Sequence, residues 1–275
     1  MFKIFNESIE VQFNISPFEI TSIKNDTVEI IYQKTSLWDK SWPILFPVCG
    51  AVNEKLTHKN KELGLTRHGF FREIKDWKIL EQNQNSISLE YFSKEEFIDV
   101  YPFRFKLNID LFLSDKVFSF NIKVSNLEDE EMYFSLGHHP GFIFNKNSRV
   151  DLIKEDLFTD QFEKGLVSNL KKEIKIKDIN ISNLDFSNGK SYMTNNFNKE
   201  EIYFENGKVN FNIMANDFKD LVIWRESNEC DFICIENWNG IPDLLNKESF
   251  ELKDKEGIMK LQKDEQKDFL FEIKF

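Results

Sequence analysis

The sequence predicts an all-β protein of packed antiparallel sheets, and three observations carry that prediction. Apolar and polar residues alternate with a period of two in many short runs, turn-forming residues separate those runs, and no stretch keeps the 3.6-residue period of a long amphipathic helix. Runs of this kind bury one face and wet the other, as half-buried strands do. The chain has 275 residues, 41% of them hydrophobic, with 29 Phe, so there is ample material for an extended core. All-β units of more than ~200 residues commonly fold as one domain. With no internal repeat and no compositional shift to mark a linker, residues 1–275 are expected to form a single domain.

Taken in order, residues 9–31 read as strands, as in Glu10-Val11-Gln12-Phe13 and Thr27-Val28-Glu29-Ile30-Ile31. Residues 37–50 hold Trp38, Trp42, Pro43, Pro47 and Gly50; prolines and glycine at this density forbid a long helix and predict an irregular aromatic loop leading into a strand. Residues 87–92 open a β-meander. Residues 105–111 alternate at every step, Ser114-Asp115-Lys116 turns the chain, and residues 118–124 return as the second arm of a hairpin with one buried face. An acidic turn at residues 128–131 precedes the strand 132–136. Residues 145–200 are rich in Lys, Asn, Asp and Glu, with a weak alternation at Ile174, Ile176, Ile179 and Ile181, and are expected to be strands joined by long polar loops. Strands resume at residues 209–213, 221–224 and 232–236. Residues 269–275 place apolar side chains at every odd position and are expected to seal a sheet edge.

The net charge of −11 opposes general binding to nucleic acid or to anionic membranes. Three cysteines, Cys49, Cys230 and Cys234, lack paired C-x-x-C spacing and read as reduced thiols. No run approaches the ~18 apolar residues of a membrane span, and the first residues have no long apolar core of a leader, so a cytoplasmic protein is expected.

Chemistry-bearing residues gather in three segments: Arg67-His68-Gly69-Phe70, Gly137-His138-His139-Pro140-Gly141-Phe142, and Phe232-Ile233-Cys234-Ile235-Glu236-Asn237-Trp238-Asn239-Gly240. A lone histidine before a glycine, such as His68, also serves simply to cap a turn. His138 and His139 cannot both face one side of an extended strand, because successive side chains alternate. Glu236 lies in an apolar strand, where a carboxylate is costly unless it is paired or faces a wet cleft. The histidines and Glu236 have atom types that suit zinc, but no H-x-H or H-E-x-x-H spacing supports a metal site. No G-x-S-x-G elbow is present either. Neither a metal nor any other cofactor is expected.

These three segments, in this order, resemble the aldose 1-epimerase (galactose mutarotase-like) family, and more closely its LacX-like branch, over about Trp38 to Asp243. The resemblance implies a galactose mutarotase-like β-supersandwich and an isomerase that interconverts the α and β anomers of a free hexose. It implies a sugar as partner, with the protein a monomer or homodimer. The family's G-x-H-P-x-F pattern falls on Gly137, His139, Pro140 and Phe142, which makes His139 the general acid and leaves His138 at a variable position. Its C-x-E-P/N-W-x-G pattern falls on Cys234, Glu236, Asn237, Trp238 and Gly240, which makes Glu236 the general base. An HGF segment followed by a tryptophan matches His68, Gly69, Phe70 and Trp77, and implies that His68 hydrogen-bonds the ring oxygen or a neighbouring hydroxyl.

Arg67, beside His68, is grouped with the substrate-binding residues, and Trp38, Phe70 and Trp238 are expected to stack on the sugar. Glu200 corresponds to an aspartate of the family's F-x-x-D-A-L-x-F segment, and Asp243 aligns with a further acidic position that a plain turn aspartate explains equally well. One departure stands out: after the FP-x-x-G glycine, where the family has arginine, this chain has Ala51. That loss motivates a second reading, a sugar-binding or sugar-sensing module without turnover. A third, a sugar-phosphate epimerase, needs a cluster of cations at the cleft rim, for which Arg67 and Arg72 are the nearest candidates in sequence.

Overall fold

The computed structural model describes residues 1–152, 162–168, 184–194 and 201–275. Among them nearly every regular element is a strand, and every strand pairing is antiparallel apart from a few isolated bridges. The hairpin read from the alternation is formed by Phe105–Ser114 and Val117–Asn126, in register from Phe105 opposite Asn126 to Ser114 opposite Val117. Its odd residues on the first arm and even residues on the second are buried, as a period of two requires. Asp115 takes φ +48° at the turn, a conformation that aspartate tolerates.

This hairpin is the middle of an eight-stranded sheet ordered Arg149–Leu152, Ile202–Glu205, Asn210–Met214, Gln266–Lys274, Val117–Asn126, Phe105–Ser114, Ser86–Phe92, Lys78–Gln82. The terminal strand Gln266–Lys274 is therefore interior rather than an edge. It pairs with Val117–Asn126 on one side and Asn210–Met214 on the other, so Phe269, Phe271 and Ile273 are fully buried in the centre of the sheet. Short runs of alternation tell which face a strand buries but not where in the sheet it sits.

Opposite lies a six-stranded sheet in which Ser191–Thr194, Asp220–Trp224, Phe232–Asn239, Leu136–His138 and Ile44–Leu45 follow one another, with Gly141–Ile143 also paired to Phe232–Asn239. Phe232–Asn239 is buried at every position, as expected of a strand covered on both faces. Trp42 packs between the two sheets against Phe118, Phe120, Phe142 and Phe271. A four-stranded sheet from the first 29 residues closes one flank, where Phe18 meets Phe120 and Phe71. One buried apolar cluster takes side chains from Ile4 to Ile273, and each fully buried Phe, Leu or Ile in it contributes on the order of 1.5–3 kcal/mol.

The expected strand 132–136 is divided. Met132–Phe134 pairs with Met259–Leu261, after which the chain crosses at Ser135, whose N–H donates to Pro47 O at 2.6 Å, into Leu136–His138 of the six-stranded sheet. The alternation of Ile174, Ile176, Ile179 and Ile181 lies outside the described residues. Among the described residues no helix is long and apolar enough to cross a membrane.

Candidate active site

The strand Phe232–Asn239 supplies one wall. Its odd residues Ile233 and Ile235 enter the main core. By alternation Cys234, Glu236 and Trp238 share the opposite face, and Glu236 and Trp238 line a cleft of about 1380 Å³. The neighbouring strands Leu136–His138 and Gly141–Ile143 place Gly137 beside Trp238 and Gly141 beside Cys234. Both glycines make room for indoles: a Cβ at 137 would come within 2.6 Å of Trp238 Cδ1, and one at 141 within 2.5 Å of Trp38 Cζ3.

Alternation separates the adjacent histidines. His138 turns inward, fully buried against Phe120, Phe271 and Phe218 with ring centroids 4.7, 4.8 and 5.1 Å away. The Trp42 indole N–H donates to its Nδ1 at 3.1 Å, so neutral His138 carries its proton on Nε2, which has no partner among the described residues. His139 turns into the cleft. Its Nε2 lies 3.2 Å from Glu236 Oε2, and Trp38 stacks on its ring at 5.4 Å.

His68 approaches from the loop that follows Leu65. Its φ is +67° and that of Gly69 is +66°, a conformation that costs a non-glycine residue roughly 1–2 kcal/mol. Gly50 holds it there. The His68 N–H donates to Gly50 O at 3.1 Å and the Gly50 N–H donates to His68 Nδ1 at 3.1 Å. An Nδ1 that accepts carries no proton, so neutral His68 holds its proton on Nε2 and is a donor there. Its ring lies 5.6 Å from that of His139 and 5.7 Å from that of Trp238.

Burial governs the charges. It pushes His68 down to about 3, with the cations Arg67 and Lys40 acting in the same direction, and takes His138 down to about 3 by itself. Burial also holds His139 well below the usual histidine value, helped by His68, and raises Glu236 well above the usual carboxylate range, with Trp238 offsetting part of the rise. Burial therefore favours the uncharged forms of the His139–Glu236 pair, a protonated carboxyl beside a neutral imidazole. A resting imidazolium beside a carboxylate, the state that the acid and base roles require for a ring-closed sugar, is the other arrangement of that same proton.

Arg67, Trp38, Trp238 and Ala51 line the cleft with His68, His139 and Glu236. Phe70 does not. It is stacked on Phe97 at 4.3 Å within the main core, so its role is packing; the HGF motif specifies its identity but not its side, and the left-handed turn at His68 and Gly69 turns it inward. Trp77 is likewise a core residue. Glu200 lies outside the described residues. Asp243 is buried and tied to Lys255 at 2.9 Å, Lys247 at 2.7 Å and the N–H of Asn53 at 2.9 Å, which anchors the segment carrying Gly50 and Ala51.

Reading the motifs alone gives no role to three residues that the fold brings to the site, of which only Trp224 and Lys40 lie outside the motifs. Cys234 sits two positions before Glu236 and shares its face, a placement that period two already encodes. Trp224 packs edge-on against His139 at 5.8 Å, and Lys40 lines the cleft near both cleft-facing histidines.

Comparison with known proteins bears on the family and the fold. The sequence model of the aldose 1-epimerase family matches residues 19–255. The chain is 26% identical to the plasmid-borne protein LacX of Lactococcus lactis subsp. lactis, over 93% of each chain. Its structure is similar to that of a galactose mutarotase related enzyme from Lactobacillus acidophilus, with TM-score 0.90, 23% identity, and 99% of this chain and 96% of that one covered. A galactose mutarotase-like protein from Lactobacillus casei superimposes with TM-score 0.84 and 23% identity, over 100% and 99% of the two chains. At identities this low the two superpositions show a shared fold alone.

Proposed function

The chain belongs to the aldose 1-epimerase family, and from that premise we propose that its cleft interconverts the α and β anomers of an aldose by general acid and base catalysis. The observation that carries this reading is the 3.2 Å approach of His139 Nε2 to Glu236 Oε2 on the cleft wall. Glu236 as carboxylate takes the proton from the C1 hydroxyl while His139 as imidazolium protonates the ring oxygen, and the C1–O5 bond breaks to give the open-chain aldehyde. The pair is then carboxylic acid and neutral imidazole. After rotation about C1–C2, attack of the C5 hydroxyl on the other face of C1 returns both protons. The two arrangements of the shared proton are thus the two ends of the half-reaction, and the arrangement that burial favours in the free protein is the one that faces the open-chain sugar.

His68, neutral with its proton on Nε2, donates to the ring oxygen or an adjacent hydroxyl without competing for the catalytic proton. Trp38 and Trp238 offer apolar faces for the sugar. General acid–base groups of this kind contribute roughly 10²- to 10⁴-fold each. The test is polarimetry of freshly dissolved α-glucose and α-galactose with chelator-treated protein. Faster equilibration is expected. Sugar binding without acceleration would replace this reading with the sensing module that Ala51 motivates.

A second reading concerns the substrate's charge. Lys40, Arg67, Arg72, Lys164 and Lys190 all line the cleft of a protein whose net charge is −11. Among the described residues neither Arg67 nor Arg72 is in an ion pair, although Glu73, Glu163 and Glu226 also line the cleft. Cations in this position suit a phosphorylated aldose. Parallel assays on hexose and hexose 6-phosphate separate the two, with a lower KM for the phosphate favouring the second.

A further inference from the structure

We propose that His139, Glu236 and Cys234 form a binding site for one soft divalent cation of the zinc class, and that a cation held there shuts the cleft's acid–base pair off. The inference rests on the functional reading for its consequence, but its binding claim stands on geometry alone. The three residues are all buried, and one ligand atom from each lies within 4.8 Å of the other two. A tetrahedral zinc ion with bonds of about 2.0–2.1 Å to nitrogen and oxygen sets those two atoms roughly 3.3 Å apart; here His139 Nε2 and Glu236 Oε2 are 3.2 Å apart. Only the Cys234 sulfur has to close in.

Two further observations favour a cation at this point. Glu236 Oε2 has no hydrogen-bond partner among the described residues, although it is buried, so the contact with His139 leaves its lone pairs available. Thiolate, imidazole and carboxylate together also select zinc-like ions over the harder magnesium or calcium. Binding forms metal–nitrogen, metal–oxygen and metal–sulfur bonds, and it releases the thiol proton of Cys234 and the carboxyl proton of Glu236. Two positive charges arrive and two leave, so the buried net charge is unchanged. The fourth position falls to a water or sugar hydroxyl from the cleft. With that open position, and with a His139 Nδ1 that has no partner among the described residues to brace it, the cation exchanges more readily than in a structural zinc site.

The experiment uses the whole chelator-treated protein titrated with Co²⁺, which reports a thiolate ligand by a charge-transfer band in the near ultraviolet. The band is expected to saturate at one ion per chain, to be displaced by Zn²⁺, to persist in Cys230→Ser and to vanish in Cys234→Ser. In the same samples Zn²⁺ should slow anomer equilibration at least tenfold, chelator should restore it, and Cys234→Ser should need at least tenfold more Zn²⁺ for half inhibition, each variant being read against its own basal rate. Absence of the band, or a band unaltered in Cys234→Ser, overturns the site; full inhibition of Cys234→Ser at the wild-type Zn²⁺ concentration does the same. A band that depends on Cys234 in a protein that equilibrates no sugar upholds the site while refuting the proposed function.

Discussion

Replacing His138 with Gln removes a titrating group from the core while keeping an acceptor for the Trp42 indole N–H, now 3.1 Å from His138 Nδ1. The folded protein holds this imidazole neutral down to about 3 because it is buried among Phe120, Phe218 and Phe271, whereas in the unfolded chain it protonates near the ordinary value of ~6.5. A histidine lowered on folding lends stability above its unfolded value and loses it as pH falls towards its folded value. Between pH 7.5 and pH 5.0 that loss is about 1.5 units at 1.36 kcal/mol each, or about 2 kcal/mol. His58, His68 and His139 titrate alike in wild type and variant and drop out of the comparison. Urea unfolding at the two pH values should therefore show the wild type losing about 2 kcal/mol more than His138→Gln, a shift of about 0.7–1 M in midpoint for an m of about 2–3 kcal/mol/M. Equal losses would mean that His138 takes up its proton as readily in the fold as outside it, and would refute its assignment as a neutral core residue.

Glu236→Gln and His139→Asn are each expected to slow equilibration roughly 10²- to 10⁴-fold, and the double variant to be no slower than the worse single, because the two share one proton; multiplicative losses measured by polarimetry would show that they act apart. With His139 lowered and Glu236 raised by burial, the one-proton pair should persist as pH falls through 6.5, so a chelator-treated enzyme at pH 5.5 should match its rate at pH 7.5, and a halving at 6.5 would contradict this. Gly141→Ala places a methyl 2.5 Å from Trp38 Cζ3, which should cost about 1–3 kcal/mol in urea unfolding and lift the indole from His139, seen as a change in tryptophan fluorescence. Ala51→Arg should lower KM about tenfold with kcat nearly unchanged if the missing contact is of the charged hydrogen-bond kind, worth ~1.5–3 kcal/mol; an unaltered KM would mean that Arg67, which lines the same cleft, already fills that role.

Local rules made most strands legible. The hairpin of Phe105–Ser114 and Val117–Asn126 reads directly off a period of two, and the aromatic loop before Ile44–Leu45 reads off its prolines. What period two does not encode is the order of strands in a sheet, which depends on contacts between residues far apart in the chain. The strand Gln266–Lys274 looks the same to its own sequence at an edge or in the middle; here its place between Val117–Asn126 and Asn210–Met214 makes it interior. The crossing at Ser135 was hidden for the same reason, since the apolar run from Met132 to Leu136 is continuous while its partners, Met259–Leu261 and Phe232–Asn239, belong to different sheets.

For the site, alternation carries the argument further than the motif does. It sets His138 and His139 on opposite faces, and it also puts Cys234 on the face of Glu236, a consequence that follows from one strand's geometry without any family pattern. It fails at Phe70, because the backbone leaves the extended region at His68 and Gly69, both with positive φ, and the alternation that would place the next side chain no longer applies. The charge state lies further still from the sequence. A histidine beside a glutamate reads as an ion pair when solvent is at hand, yet Glu236 is 1% exposed and His139 9%, and at that depth two separated charges cost more than one shared proton. The same burial that disfavours a resting ion pair sets the proton on the carboxyl, so the proposed reaction, which must run from either anomer, starts from the less favoured arrangement of that proton.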